Sequence, residues 1–168
     1  VLDKIFPLNL TLQTLSGIAC HNGEIELSEY HPVPMDSFDD FDTAIEKCYT
    51  TPGYANKIQP STLEGNVVRI SDIIAYLGKD RQDAASIQMV ENNAFTASVI
   101  GSINSEIINN LVVNIIENSY GKPYIKLDES HFQAVQSCKR ENYSMIYANE
   151  PGRAILNRVV KPMMEEIY

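Results

Sequence analysis

The chain has 168 residues, a formal net charge of −9 at pH 7, 44% hydrophobic residues and 21% charged residues. This length suits a single globular unit, and we expect residues 1–168 to form one domain with its own core. A general nucleic-acid-binding protein normally carries a basic patch. The acidic balance and the absence of a Lys/Arg cluster therefore argue against a nucleic-acid partner.

The three cysteines, Cys20, Cys48 and Cys138, are far apart and odd in number. This pattern is typical of reduced thiols in an intracellular protein rather than of a disulfide framework. No apolar run approaches the roughly 18 residues of a membrane span, and no signal-peptide pattern is present at the start. We expect a cytoplasmic protein without a membrane segment. Because residue 1 is Val, we also expect the chain to begin partway through a longer protein.

The first part of the chain predicts two helices separated by a loop. Apolar residues with helical spacing predict a helix from about 8 to 19, with Gly23 as a stop. Residues 24–40 hold two prolines and no sustained period, and we expect a loop there. A short helix follows over about 39–50, and the sequence "TTPGY" ends it.

A long helix is predicted from residue 63 to beyond residue 78. Ser61 and Glu64 have the spacing of a capping box, with Ser61 as the N-cap. Apolar residues then recur along one side of the helix, at Leu63, Val67, Ile70, Ile74 and Leu77.

The rest of the chain also has helical patterns. Helices are predicted over about 104–118, 129–148 and 152–167, the last interrupted by Pro162. Val99 and Ile100 fit a short extended segment, but no strand with clean alternation is present. The predicted fold class is all-α, a helical bundle.

The long helix carries a polar stripe on the side roughly opposite its apolar residues, formed by Arg69, Asp72, Tyr76, Asp80 and Asp83. Two interpretations are open. The stripe is either a solvated face with local ion pairs, such as Arg69–Asp72 and Lys79–Asp83, or one wall of a polar cleft. The second interpretation rests on the apolar neighbours of Asp72 in "VVRISDIIAYL", because a buried carboxylate needs a cation, either Arg69 or a metal ion.

The segment "STLEGNVVRISDIIAYLGKDRQDA" resembles a signature helix of the HD-domain deoxynucleoside triphosphate triphosphohydrolases, the dGTPase-like family. The matching residues are Leu63, Glu64, Val68, Asp72, Ala75, Tyr76, Asp80, Asp83 and Ala84. Two further segments resemble family motifs in the same order, "LTLQTLSGIACHNGE" before this helix and "RENYSMIYANE" after it. The resemblance implies the C-terminal part of an HD-domain helical fold plus downstream helices.

The resemblance also implies an activity and a site. Members of the family use a divalent metal such as Mg²⁺ or Mn²⁺ to convert a dNTP and water into a deoxynucleoside and triphosphate. Asp72 matches a metal ligand of the family, Tyr76 a residue lying against the deoxyribose, and Asp80 an acceptor for the 3′-hydroxyl. The implied partner is a deoxynucleoside triphosphate.

The other metal ligands of the family, a His and an adjacent His-Asp pair, have no match here. None of the three histidines, His21, His31 and His131, is followed by Asp. We therefore expect no catalytic residue in this chain and no activity from it alone. It would act with a second copy in a homo-oligomer, or with the N-terminal half of the domain. The alternative function is a non-catalytic all-α interaction or regulatory module derived from such a hydrolase.

Three other residues are weaker candidates for substrate binding. Arg69 is either a phosphate ligand or an ion-pair partner. Tyr143 and Tyr147, four residues apart, are either a wall of the nucleotide pocket or a core-facing aromatic pair. For His21 a C-capping or loop role is expected, and for His31 and His131 surface positions.

Overall fold

The computed structural model describes residues 8–22, 26–91, 94–148 and 150–167. Within these ranges the chain is helical, which confirms the predicted all-α class. The helices are α1 (Leu12–Cys20), α2 (Phe38–Thr50), α3 (Leu63–Ser86), α4 (Asn104–Ser119), α5 (Glu129–Asn142), α6 (Glu150–Ile155) and α7 (Lys161–Ile167). A 3₁₀ turn covers Ala55–Lys57, and two π-helical segments cover Tyr143–Tyr147 and Leu156–Val160.

The start of α3 differs by one residue from the sequence-based prediction. Thr62, not Ser61, is the N-cap, and its side chain accepts from the backbone N–H of Gly65 at 3.1 Å. Ser61 instead donates its own backbone N–H to the Ser16 hydroxyl at 3.0 Å. This contact with α1 fixes the entry of the chain into α3, and residue spacing within one helix cannot reveal it.

Residues 26–30, predicted as loop, include a short strand. β1 (Glu29–Tyr30) pairs antiparallel with β2 (Ile125–Lys126), with Tyr30 opposite Ile125. Tyr30 is buried, and its hydroxyl accepts from the Leu27 backbone N–H at 3.0 Å. A two-residue pairing has too short a pattern to be recognised in a sequence. Gly23, the predicted stop of the first helix, lies outside the described residues.

The core lies around α3, which packs against α1, α4 and α5. Its buried apolar residues come from α3, α4, α5 and the strand region, namely Tyr30, Ile70, Ile73, Ile74, Leu77, Ile100, Ile107, Leu111, Leu127, Ala134, Val135 and Cys138. Gly78 lets α4 approach closely, since a Cβ there would lie 2.6 Å from the Asn104 Cα. All three cysteines are free thiols, as predicted.

The C-terminal helical segments project their side chains into solvent. From residue 153 to residue 167 every side chain except the half-buried Val160 is exposed, including those of Ile155, Leu156 and Val159. The predicted interruption at Pro162 takes the form of the second π segment, where the Lys161 N–H donates to the Leu156 carbonyl. No helix in the described residues is long and apolar enough to cross a membrane.

Candidate functional site

A ridge on the outer surface of α3 contains the three main candidate residues. It consists of side chains four positions apart, Glu64, Val68, Asp72, Tyr76 and Asp80, which form a row inclined to the helix axis because each step turns about 40° around that axis. Tyr76 is 59% exposed, and Asp72 and Asp80 are half-buried. Asp72, Tyr76 and Asp80 therefore lie between the core-facing residues of α3 and solvent.

Asp72 is open to solvent and has no partner in the described part of the chain. No hydrogen bond or ion pair to its carboxylate occurs there, and the predicted Arg69–Asp72 pair does not form. Half-buried, with its charge uncompensated, this carboxylate is accessible to a cation. One carboxylate supplies a single hard oxygen donor of the kind that Mg²⁺ and Mn²⁺ prefer.

Arg69 points away from the ridge into the protein. It is 3% exposed, and its guanidinium donates to the carbonyls of Ile58 at 2.9 Å and Cys20 at 3.3 Å. These contacts tie α3 to the end of α1 and to the segment that precedes α3. Arg69 is therefore buried among backbone carbonyls rather than exposed at the ridge, and it serves to hold these segments together.

Asp80 is joined to the first π segment. The Tyr147 hydroxyl donates to Asp80 Oδ2 at 2.5 Å, a short charge-assisted hydrogen bond between residues 67 positions apart. Partial burial, the hydrogen bond to Asp80 and the charge of that carboxylate together raise the pKa of Tyr147 to about 12. The phenol is therefore a proton donor to Asp80 at all physiological pH values.

The two candidate tyrosines of the π segment face solvent rather than the core. Tyr143 is 66% exposed and Tyr147 55% exposed, so the interpretation of a core-facing aromatic pair is wrong. The Ala148 N–H donates to the Tyr143 carbonyl at 2.7 Å, which closes the π turn. Single π turns are frequent at functional sites. Here the turn places the exposed Tyr147 ring beside Asp80.

Asp83, the last residue of the polar stripe, belongs to the solvated part of α3. Its carboxylate accepts from Lys79 Nζ at 2.6 Å, the predicted local pair, and both side chains are more than half exposed. Such a pair contributes little to stability. The interpretation as a solvated face is thus correct for this end of the stripe.

An apolar groove lies beside the N-terminal end of the ridge. It has a volume of about 720 Å³ between α1 and the start of α3, and its lining includes Ile18, His21, Glu64 and Val68. Sequence reasoning did not single out this groove. A signal was present in the four-residue spacing that continues the Asp72–Tyr76–Asp80 row back through Val68 to Glu64.

The histidines have local roles. His21 is the C-cap of α1, and its ring Nδ1 bonds the Ile18 carbonyl at 2.7 Å, as a capping residue does. His31 is exposed and pairs with Glu29 at 2.7 Å. His131 is half-buried in the first turn of α5, where its ring bonds the Asp128 carboxylate at 2.9 Å.

A second cavity of about 560 Å³ lies on another side of α3, near the start of α4. Its one cation, among the lining residues that the structure describes, is Arg81. Arg81 pairs with Glu141 at 2.6 Å and lies over the Phe95 ring at 4.5 Å. With its charge already compensated, Arg81 serves to hold α3 to α5. Across the described ranges, no group of three or more His, Cys, Asp or Glu side chains could hold a metal ion.

The fold and the ridge thus define an all-α protein with an exposed row of Asp, Tyr and Asp on its central helix. The chain is similar to a deoxyguanosinetriphosphate triphosphohydrolase-like protein of Caldanaerobacter subterraneus subsp. tengcongensis, with 30% identity over 113 residues, 66% of this chain and 33% of the relative. It is also similar to a protein of the same name from Desulfatibacillum aliphaticivorans, with 25% identity over 146 residues, 83% of this chain and 35% of the relative.

The chain spans about a third of the length of these curated relatives. No family profile matches it, and no solved structure matches it significantly. The similarity supports a relationship with dGTPase-like proteins.

Proposed function

We propose that this chain forms one wall of the active site of a metal-dependent dNTP triphosphohydrolase. The observation that carries the proposal is the open ridge of Asp72, Tyr76 and Asp80, whose first carboxylate lacks a protein partner in the described residues. The names of the two relatives agree with this reaction. In it, a dNTP and water yield a deoxynucleoside and triphosphate.

Asp72 would hold a divalent metal ion, Mg²⁺ or Mn²⁺, through its carboxylate. A bound metal would activate water and neutralise charge on the phosphates. The described residues supply a single suitable donor at this place, whereas such sites need several converging ligands. The remaining ligands would come from a His and a His-Asp pair outside this chain, and the chain alone would be inactive.

The other two ridge residues would bind the sugar. The Tyr76 ring is exposed on the same side as Asp72 and one turn away, and it offers an apolar face to the deoxyribose. The Asp80 carboxylate, one further turn along, would accept a hydrogen bond from the 3′-hydroxyl. The row of metal ligand, ring and acceptor then follows the nucleotide from phosphate to sugar.

The large solvent-exposed surface of the chain supports a partner that completes the site. The chain exposes 11192 Å², whereas a folded monomer of 18.8 kDa exposes about 8,300 Å². The excess exceeds the roughly 800 Å² that one partner buries in a standard interface. We propose that a second copy or the remaining part of the domain covers part of it, beginning at the groove beside Val68.

The proposal is tested by supplying the missing ligands. The purified chain is incubated with dGTP and Mn²⁺, alone and together with the part of the Caldanaerobacter relative that lies outside the matched residues. We expect triphosphate release from the mixture and none from the chain alone. Asp72→Asn should abolish the release, and Asp42→Asn, at an exposed position of α2, should leave it unchanged.

Triphosphate release by the chain alone would contradict the proposed division of the site. A mixture that associates but stays inactive would favour the second candidate, a non-catalytic interaction or regulatory module. The observation that favours this candidate is the solvent-exposed C-terminal helix with Ile155, Leu156 and Val159 on its surface.

A further inference from the structure

The two oxygens of the Asp80 carboxylate have different environments. Oδ2 accepts the Tyr147 hydroxyl at 2.5 Å, while Oδ1 has no hydrogen-bond donor among the described residues. A carboxylate that is held at one oxygen presents the other in a fixed direction. Asp80 follows the exposed Tyr76 by one turn on α3, so its free oxygen belongs to the same ridge as that ring.

A buried frame holds Tyr147 at this place. Asn142, the residue just before the π segment, is 3% exposed and donates to the Leu77 carbonyl of α3 at 2.9 Å. Its side-chain oxygen accepts from Arg81 Nε at 2.8 Å. Leu77 and Arg81 flank the position of Asp80 in α3, so the π segment is fixed to the same turn of the helix that carries this carboxylate.

We propose that Tyr147 is a positioning residue that orients Asp80 to accept a hydrogen bond from the 3′-hydroxyl of a deoxynucleoside. This inference rests on the proposed function, because it takes the ridge as the sugar-binding wall. Tyr147 acts through Asp80 and needs no contact with the substrate. Its hydroxyl occupies Oδ2 and leaves Oδ1 as the acceptor, which selects a sugar that has a 3′-donor.

The mechanism has a specific consequence. Without the Tyr147 hydroxyl the Asp80 carboxylate rotates freely, and its preference for a 3′-hydroxyl falls by roughly two- to tenfold, the range of one ordinary hydrogen bond. A nucleoside whose sugar lacks a 3′-hydroxyl cannot donate this hydrogen bond to Asp80. Its binding therefore stays the same when Tyr147 changes.

The test compares two nucleosides on the 168-residue chain. Binding of 2′-deoxyguanosine and of 2′,3′-dideoxyguanosine is measured by NMR shift changes for the unchanged chain and for Tyr147→Phe, which keeps the ring. We expect the affinity ratio of the two nucleosides to fall roughly two- to tenfold in the variant. Tyr120→Phe is the matched control, because Tyr120 is fully solvated in the turn after α4.

A second variant separates positioning from a general structural effect. Asp80→Asn should reduce the affinity ratio by itself, and adding Tyr147→Phe to it should change the ratio no further. An affinity ratio that stays the same in Tyr147→Phe would overturn the positioning role and leave the proposed function intact. No binding of either nucleoside to the unchanged chain would overturn the positioning role. The triphosphate-release assay reports on the function independently.

Discussion

The hydrogen bond between Tyr147 and Asp80 predicts a raised pKa for this tyrosine, one of nine in the chain. Partial burial and the neighbouring carboxylate raise the pKa of Tyr147 from its ordinary value of 10.0 to about 12. Two negative charges at the observed 2.5 Å repel by roughly 1.7 kcal/mol even at the dielectric constant of water. Since about 1.4 kcal/mol corresponds to one pKa unit, Asp80→Asn should lower the pKa of Tyr147 to about 11.

The assay is NMR with tyrosine labelled at the ring carbon that bears the hydroxyl, and Tyr147→Phe assigns the signal. At pH 11 an ordinary tyrosine is about 90% ionised, whereas Tyr147 should be about 10% ionised in the unchanged chain and about half ionised in Asp80→Asn. Asp83→Asn is the matched control on the same helix, because it removes an equal charge that is paired with Lys79.

Two results would refute this reasoning. Ionisation of Tyr147 near pH 10, the ordinary value for a tyrosine, would mean that the hydrogen bond to Asp80 is absent in solution. Equal effects of Asp80→Asn and Asp83→Asn would mean that the overall field, not the contact, raises the pKa. The raised pKa of Tyr147 also determines how the stability of the fold depends on pH. The folded state holds this proton more tightly, so the stabilisation is complete below pH 10 and is lost as the pH rises to 12.

Two stability predictions accompany this one. Gly78→Ala should lower the free energy of unfolding in urea by about 1–3 kcal/mol, because its Cβ would meet the Asn104 Cα at 2.6 Å. Gly17→Ala, whose Cβ would have an ordinary contact at 3.9 Å, should be neutral or stabilising. Equal effects of the two substitutions would contradict the close approach of α4 to α3 at Gly78. Asp128→Ala should cost about 1 kcal/mol at pH 7, because Asp128 is the N-cap of α5 and accepts the His131 backbone N–H at 2.8 Å. That hydrogen bond holds the pKa of Asp128 well below 3.8, so the cost should shrink as the pH falls below 4, and an undiminished cost at pH 3 would argue against this cause.

The long helices could be predicted because their signals are local. Apolar spacing, capping residues and helix breakers all act within a few positions, and they placed α2, α4 and the start of α3 to within a few residues. The predictions that were wrong concern features that depend on contacts between residues distant in the sequence. Thr62 rather than Ser61 caps α3 because the Ser61 backbone is bonded to Ser16 of α1, 45 residues away.

The candidate site shows the same division. Spacing on one helix grouped Asp72, Tyr76 and Asp80, and the structure places them on one open ridge. The same spacing put Arg69 with them, but its long side chain bends into the core to reach the Ile58 and Cys20 carbonyls. A helical projection fixes the direction of a Cβ, not the end of a flexible side chain.

The sequence by itself determined that this chain is all-α and that its central helix carries a row of Asp, Tyr and Asp at one-turn spacing. Only the tertiary structure decided which of these groups are available. It left the Asp72 carboxylate without a partner in the described residues, turned Arg69 inward, and joined Asp80 to Tyr147 across 67 positions. The physical reason is that helical periodicity is a property of neighbouring residues, whereas the state of a charge depends on the groups that packing brings to it.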